Sequence, residues 1–160
     1  KDPKVNIDFF HDQTIAVMKY RNTFLRLAQK LYDEGKQAEA VAVLDKSLEE
    51  IPLYQVPADN SMLFYIPMYY ELGETEKANH LLNELATNNY QMLKYANTPS
   101  IQQEERLSIE VIKQLLAFAT QAGQKELAQE LQDKVLRLYN PSHISPDKPL
   151  MKDTADKAGK

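Results

Sequence analysis

The chain is 160 residues long, enough for one domain with one core, and 43% of it is hydrophobic against 26% charged, which is ordinary globular composition. Its formal net charge of −4 argues against a nucleic-acid-binding domain, because neutralising phosphate needs an excess of Lys and Arg on one face. The absence of cysteine excludes disulfides, thiolate metal sites and cysteine catalysis, and four scattered glycines cannot build a phosphate-binding loop.

Residues 1–11 read as a lead-in segment, with Pro3 and the alternation of Val5, Ile7 and Phe9 fitting an extended or irregular stretch. Asp12 is the expected N-cap of a first helix whose apolar residues Ile15, Met18, Phe24, Leu27 and Leu31 recur mostly at three- and four-residue intervals. Ala28 is a small residue suited to close helix contact, and Gly35 ends the helix. A second helix spans 38–50, with Ala40 inward and Pro52 as its stop. The stretch 53–59 is a loop. Asn60 or Ser61 caps a third helix, 62–72, in which Pro67 removes a backbone hydrogen bond and is expected to kink the helix or delay its start. Gly73 ends it, and Thr75 caps a helix from Glu76 to Thr87. Residues 90–96 continue as a separate short helix, broken by the run Asn97-Thr98-Pro99-Ser100. A long helix, 101–122, ends at Gly123, and a last one runs from Lys125 to Leu138 before Asn140 and Pro141. The tail 142–160 carries Pro146 and Pro149 and reads as irregular, with Ile144, Leu150 and Met151 available to dock. No run of 18 apolar residues exists to span a membrane, and no signal peptide opens the chain. A start at Lys1 rather than at methionine suggests a piece of a longer protein.

One spacing recurs. Gly35 is followed by Ala40, Leu44 and Pro52, and Gly73 by Ala78 and Leu82. A third glycine, Gly123, is followed by Ala128, but Gln132 takes the large apolar position. The glycines are 38 and 50 residues apart, so the second interval needs an inserted segment, 90–108. A helical hairpin cannot bury its apolar face alone and must stack on a neighbour.

These residues resemble the tetratricopeptide repeat, a helical hairpin of about 34 residues. Phe24, Leu27, Ala28, Leu31, Gly35, Ala40, Leu44, Ser47 and Pro52 match the first hairpin. Met62, Tyr65, Ile66, Tyr69, Gly73, Ala78, Leu82 and Leu85 match the second, with Tyr90 where the terminating proline stands. Ile112, Leu115, Leu116, Ala119, Gly123 and Ala128 match a weaker third. The resemblance implies an all-α fold, an α-α superhelix of about three stacked hairpins over 12–141. Longer runs, from Arg21 to Ala28, Glu34-Gly35-Lys36, Val43-Leu44-Asp45, Val56-Pro57, Tyr69-Tyr70 and Glu76-Lys77-Ala78, are similar to a further family. It is the C-terminal soluble region of bacterial multi-pass membrane proteins akin to protein O-mannosyltransferases, and the likeness covers about residues 6–139. It implies an accessory domain on the periplasmic or extracytoplasmic face of a membrane glycosyltransferase whose catalytic portion lies elsewhere; a cytoplasmic location stays open. No catalytic residue can be carried over from it.

No catalytic, cofactor-binding or metal residue is expected in the sequence. Glu76, His80 and Glu84 share one helix side and form a conceivable metal stripe, but the preferred reading is a surface imidazole between carboxylates. The pairs Glu49-Glu50 and Glu104-Glu105 point about 100° apart on a helix, so they read as solvated faces rather than acid–base pairs. Glu34 and Lys36 solubilise a turn. Among Phe64, Tyr65, Tyr69, Tyr70, Tyr90 and Tyr95, a stacking platform for sugar or peptide competes with the reading that Tyr65 and Tyr69 are core. In the repeat register Asn22, Leu25, Gln29, Tyr32 and Asp33 share the first-helix face with Asn60, Leu63, Tyr70 and Glu71 of the next hairpin. A groove of that composition suits an extended peptide, which needs donors, acceptors and apolar pockets. The expected function is a non-catalytic scaffold for protein or extended peptide. The alternatives are selection of an acceptor polypeptide for the transferase or, with no nucleophile–base pair to name, a self-standing enzyme.

Overall fold

The computed structural model describes residues 6–95 and 102–139, with side chains described over somewhat narrower stretches. Among the described residues the chain forms six helices and no strand. These are α1 (Asn6–Asp33), α2 (Gln37–Glu50), α3 (Met62–Glu71), α4 (Thr75–Tyr95), α5 (Gln102–Gln121) and α6 (Lys125–Tyr139). Helices adjacent in sequence pack as α1 with α2, α3 with α4, α4 with α5 and α5 with α6. Contacts also join α1 to α3, α3 to α5 and α4 to α6, so alternate helices are neighbours. No described helix is long and apolar enough to cross a membrane.

The three elbows share one backbone device. Gly35, Gly73 and Gly123 have φ of 77°, 79° and 72°. At the first, the Gly35 N–H donates to the Tyr32 carbonyl and the Lys36 N–H to the Leu31 carbonyl, both at 2.9 Å. The same pair recurs from Gly73 to Tyr70 and Glu74 to Tyr69, and from Gly123 to Thr120 and Gln124 to Ala119. This is the Schellman closure, in which a left-handed residue satisfies two orphan carbonyls of a helix end. A Cβ built on any of these glycines meets nothing within 4 Å, so the demand is torsional and not one of space. An L-residue there costs about 1–2 kcal/mol. Five residues on, the N–H groups of Ala40, Ala78 and Ala128 each donate to the first carbonyl of the next helix.

Two element boundaries differ from expectation. The helix that was to begin at Asp12 begins at Asn6, so the extended reading of Ile7 and Phe9 is corrected. The alternation of Ile7 and Phe9 is too short a pattern to separate strand from helix. The two pieces expected over 76–87 and 90–96 are one helix, Thr75–Tyr95. Weak helix formers Asn88 and Asn89 are accommodated there because their side chains are used. Asn89 donates to the Leu85 carbonyl at 2.9 Å and Asn88 to the Ala58 carbonyl of the preceding loop at 3.1 Å. Pro67 sits inside α3, which starts at Met62 as expected. The tail expectations fall on 140–160 and the break at 97–100 on 96–101, outside the described residues.

The core is continuous and its register is read from the glycines. The residues 15, 11, 8 and 4 places before each glycine form one set. In the second hairpin they are Ala58, Met62, Tyr65 and Tyr69, and in the third Ser108, Ile112, Leu115 and Ala119; none is more than 7% exposed. A second set lies 7 before and 5, 9 and 12 after the glycine. In the first hairpin it is Ala28, Ala40, Leu44 and Ser47, and in the second Ile66, Ala78, Leu82 and Leu85, all at 0–1%. The three small residues on which close approach depends, Ala28, Ala40 and Ala78, are fully buried.

In the first and third of the described hairpins one set opens. In the first hairpin the earlier set is Tyr20, Phe24, Leu27 and Leu31; Leu27 is 50% exposed and the others are half-buried. Leu27 and Phe24 were expected among the matched repeat positions of a buried face; no hairpin precedes them in the described structure, so that face is uncovered. In the third hairpin the later set is Leu116, Ala128, Gln132 and Val135, half-buried except for Gln132, which is exposed. Gln132 therefore stands on an outward face among the described residues.

Candidate functional site

The strongest buried polar cluster was not singled out from the sequence. Arg21 of α1 is fully buried and ion-paired through Nη1 with Asp59 Oδ2. Its Nη2 donates to the carbonyls of Ile51 at 3.3 Å and Val56 at 3.1 Å, while its Nε has no partner. The other Asp59 oxygen accepts from the Ser61 N–H at 2.7 Å, so one carboxylate fixes both the guanidinium and the approach to α3. Ser61, half of the expected cap, makes no side-chain cap bond. Tyr65 completes the cluster: its hydroxyl donates to the Arg21 carbonyl at 2.8 Å and meets Ser47 Oγ at 2.8 Å. Burial pushes the Tyr65 phenol up from its ordinary value. The arrangement ties α1, the 51–59 loop and α3 into one unit. A buried pair of this kind is strongly destabilising to break and leaves no free group for chemistry.

A cleft of about 510 Å³ lies between α2 and α4, lined by Asp45, Leu48, Glu49, Pro52, Tyr69, Glu76, Lys77, His80 and Leu81. Six of its lining side chains are titratable: Asp45, Glu49, Tyr69, Glu76, Lys77 and His80. Tyr69 donates to Asp45 Oδ1 at 2.8 Å, and Lys77 donates to Asp45 Oδ2 at 2.7 Å and pairs with Glu74 at 3.3 Å. The Lys77 ammonium also lies 5.8 Å from the Tyr69 ring centroid. Burial, then the Asp45 hydrogen bond and charge, pushes the Tyr69 phenol far above its ordinary range. Burial pulls Lys77 down, but its bonds to Asp45 and Glu74 outweigh that and raise it. Tyr69 is thus a committed donor and Lys77 a committed cation, and both Asp45 oxygens are occupied. Glu76 and His80 do reach the cleft rim, yet no group of three His, Cys, Asp or Glu among the described residues could hold a metal ion.

The remaining acidic features are solvated. Lys46 bonds to Glu50 at 2.6 Å and lies 3.9 Å from Glu49, all three exposed. Lys36 donates to Glu34 at 2.8 Å across the first elbow and holds that carboxyl below its ordinary value. Glu104, Glu105 and Tyr95 have no described side chains. Of the aromatic run, Tyr65 and Tyr69 are core, Phe64 is 61% exposed and Tyr90 is half-buried.

The expected groove residues lie as follows. Asn22, Gln29 and Asp33 of α1 are exposed, as are Asn60 and Glu71 beside and on α3. Leu25, Tyr32, Leu63 and Tyr70 are half-buried against the core, and α1 contacts α3. Gln29 donates to Asp33 at 2.9 Å. The Tyr70 hydroxyl donates to Asn79 of α4 at 2.6 Å, and Asn79 in turn donates to Gln124 at 3.1 Å, so that phenol is engaged with its own hairpin and the third elbow. Its ring edge, and the Tyr32 phenol, are what this face offers a ligand.

Compared with known proteins, the chain matches no family model, no curated protein and no solved structure.

Proposed function

We propose that this chain is a non-catalytic binding scaffold of the tetratricopeptide-like kind, a superhelical stack of three hairpins that holds a protein or extended peptide along its first helices. The observation that carries the reading is the alternation of the two buried sets about each glycine. The second hairpin has both sets buried against its neighbours, and the outer faces of α1 and α3 are left as the surface that is free to vary. That surface mixes exposed Asn22, Gln29, Asn60 and Glu71 with the half-buried rings of Tyr32 and Tyr70, a composition that serves backbone amides and side chains alike. The cleft network supports the same reading, since its donors and acceptors are consumed internally. By its sequence resemblance the scaffold is the accessory C-terminal domain of a membrane glycosyltransferase, placed on the extracytoplasmic face.

A peptide-array screen of the wild-type chain against Tyr32→Ala and Tyr70→Ala tests the groove. Loss of the bound subset in either variant is expected, and an unchanged pattern in both removes those residues from the function. The transferase link is tested by the coding sequence upstream: an upstream region with no membrane-spanning segments refutes it.

A further inference from the structure

The cleft between α2 and α4 is built from two facing stripes. Asp45, Leu48, Glu49 and Pro52 follow the i, i+3, i+4, i+7 spacing of one helix side, and Glu76, Lys77, His80 and Leu81 line the opposite wall from the first two turns of α4. Helices α4 and α6 pack closely on each other, whereas α2 and α4 do not pack as closely, and Lys77 crosses the gap to Asp45 at 2.7 Å. Leu48, Pro52, Leu81 and the Tyr69 ring make up the apolar lining. Around the rim the polar groups are uncommitted. Glu76 and His80 are exposed, and their side chains make no hydrogen bond or ion pair among the described residues. Glu49 has only a 3.9 Å contact with Lys46, whose close partner is Glu50.

We infer that this cleft is a docking site for a short basic and apolar segment of a partner polypeptide. An apolar side chain sits on Leu48, Pro52 and Leu81, and a neighbouring lysine or arginine is answered by Glu49 and Glu76. Charge selects the occupant. The carboxylates of Asp45, Glu49 and Glu76 line the cleft against the single ammonium of Lys77, and no arginine or other lysine lines it. The residues paired across its edges, Lys46, Glu50 and Glu74, add further negative charge. Lys77 is matched by Asp45 at 2.7 Å and Glu74 at 3.3 Å, so Glu49 and Glu76 are the charges left for a ligand. An acidic peptide, a nucleic acid or an anionic lipid would meet like charge here. The stem of a lysine or arginine covers apolar surface while its head reaches a carboxylate, which is the pairing this wall and rim present. Size fits a short stretch of chain: from Asp45 to Pro52 the wall runs about 10 Å along the helix, the reach of about three extended residues. None of the residues of the first-helix groove lines the cleft, so the inference stands or falls separately from that groove.

The test titrates the full chain with three end-capped synthetic peptides of one length: leucine flanked by lysines, leucine flanked by glutamates, and glycine flanked by lysines. Calorimetry and backbone amide shifts report binding. The lysine–leucine peptide is expected to bind, to perturb amides along 45–52 and 76–81, and to bind about tenfold tighter than the glycine peptide. Glu49→Gln combined with Glu76→Gln, exposed changes that leave the core intact, is expected to weaken it about three- to tenfold and to flatten its salt dependence. No binding of the lysine–leucine peptide, equal binding of the glutamate or the glycine peptide, or indifference to the double substitution overturns the proposal. So does self-association in sedimentation that the double substitution abolishes, which makes a second copy the occupant. Binding lost in Tyr32→Ala but kept in the double substitution overturns the cleft and places the basic peptide in the first-helix groove.

Discussion

Tyr65 and Leu27 occupy the same place in successive hairpins, eight residues before the glycine, yet one is sealed and the other is 50% exposed. The difference lies in what stands before each. Tyr65 has α1 and α2 behind it, supplying the Arg21 carbonyl and the Ser47 hydroxyl that satisfy its phenol. Leu27 has no preceding hairpin among the described residues. The later set shows the mirror image: Leu82 is buried and its counterpart Gln132 faces water. A hairpin in this chain is therefore a two-sided unit, and each side's burial is set by the neighbour it meets. The two open ends are not equivalent either. The far end carries a glutamine, whereas the near end keeps a phenylalanine and a leucine.

The largest separation between the two ends should come from truncation. Tyr65→Ala is expected to lose about 3–5 kcal/mol in denaturant unfolding, because it removes a buried ring and strands two polar partners. Leu27→Ala should lose under about 1 kcal/mol in the same assay. Similar losses at both sites would mean that the first hairpin is covered after all. Arg21→Ala is expected to destabilise by about 3–5 kcal/mol, since it leaves Asp59 without its cation in the 51–59 loop. A melting curve within a degree or two of wild type would show that the loop is held by packing alone. A smaller effect is expected from alkaline titration. Tyr65, Tyr69 and Tyr70 all have phenols raised above their ordinary value of 10.0, chiefly by burial. The native state then keeps protons that the unfolded chain releases, so stability is intact below pH 10 and falls as the pH rises beyond it. Tyrosinate absorbance from these residues should appear together with loss of helical circular dichroism; free ionisation in a folded chain would contradict the burial that raises them. Smallest of all, Gln132→Leu should change stability by no more than about 0.5 kcal/mol while promoting self-association in sedimentation. A gain of several kcal/mol there would show that the far face is buried by something outside the described residues.

Much of this architecture is legible in the sequence for local reasons. A glycine that must take positive φ marks a helix end wherever it stands, so Gly35, Gly73 and Gly123 announce three elbows by themselves. Periodicity likewise places Ala40, Leu44, Ala78 and Leu82 on inward faces without reference to any neighbour. The unity of α4 was harder to read, because the weak formers Asn88 and Asn89 are settled by bonds to the Ala58 carbonyl 30 residues away and to the Leu85 carbonyl one turn back, and by the packing of α4 on α5. Arg21 was the furthest from view. In the sequence it is one basic residue among several on a helix, and only the convergence of Asp59, Ile51 and Val56 turns it into a buried anchor. The helices and their turns were set by interactions within a few residues of chain. Which apolar positions are sealed, and which remain open, depends on contacts between residues far apart in sequence. Those contacts exist only once the hairpins have met.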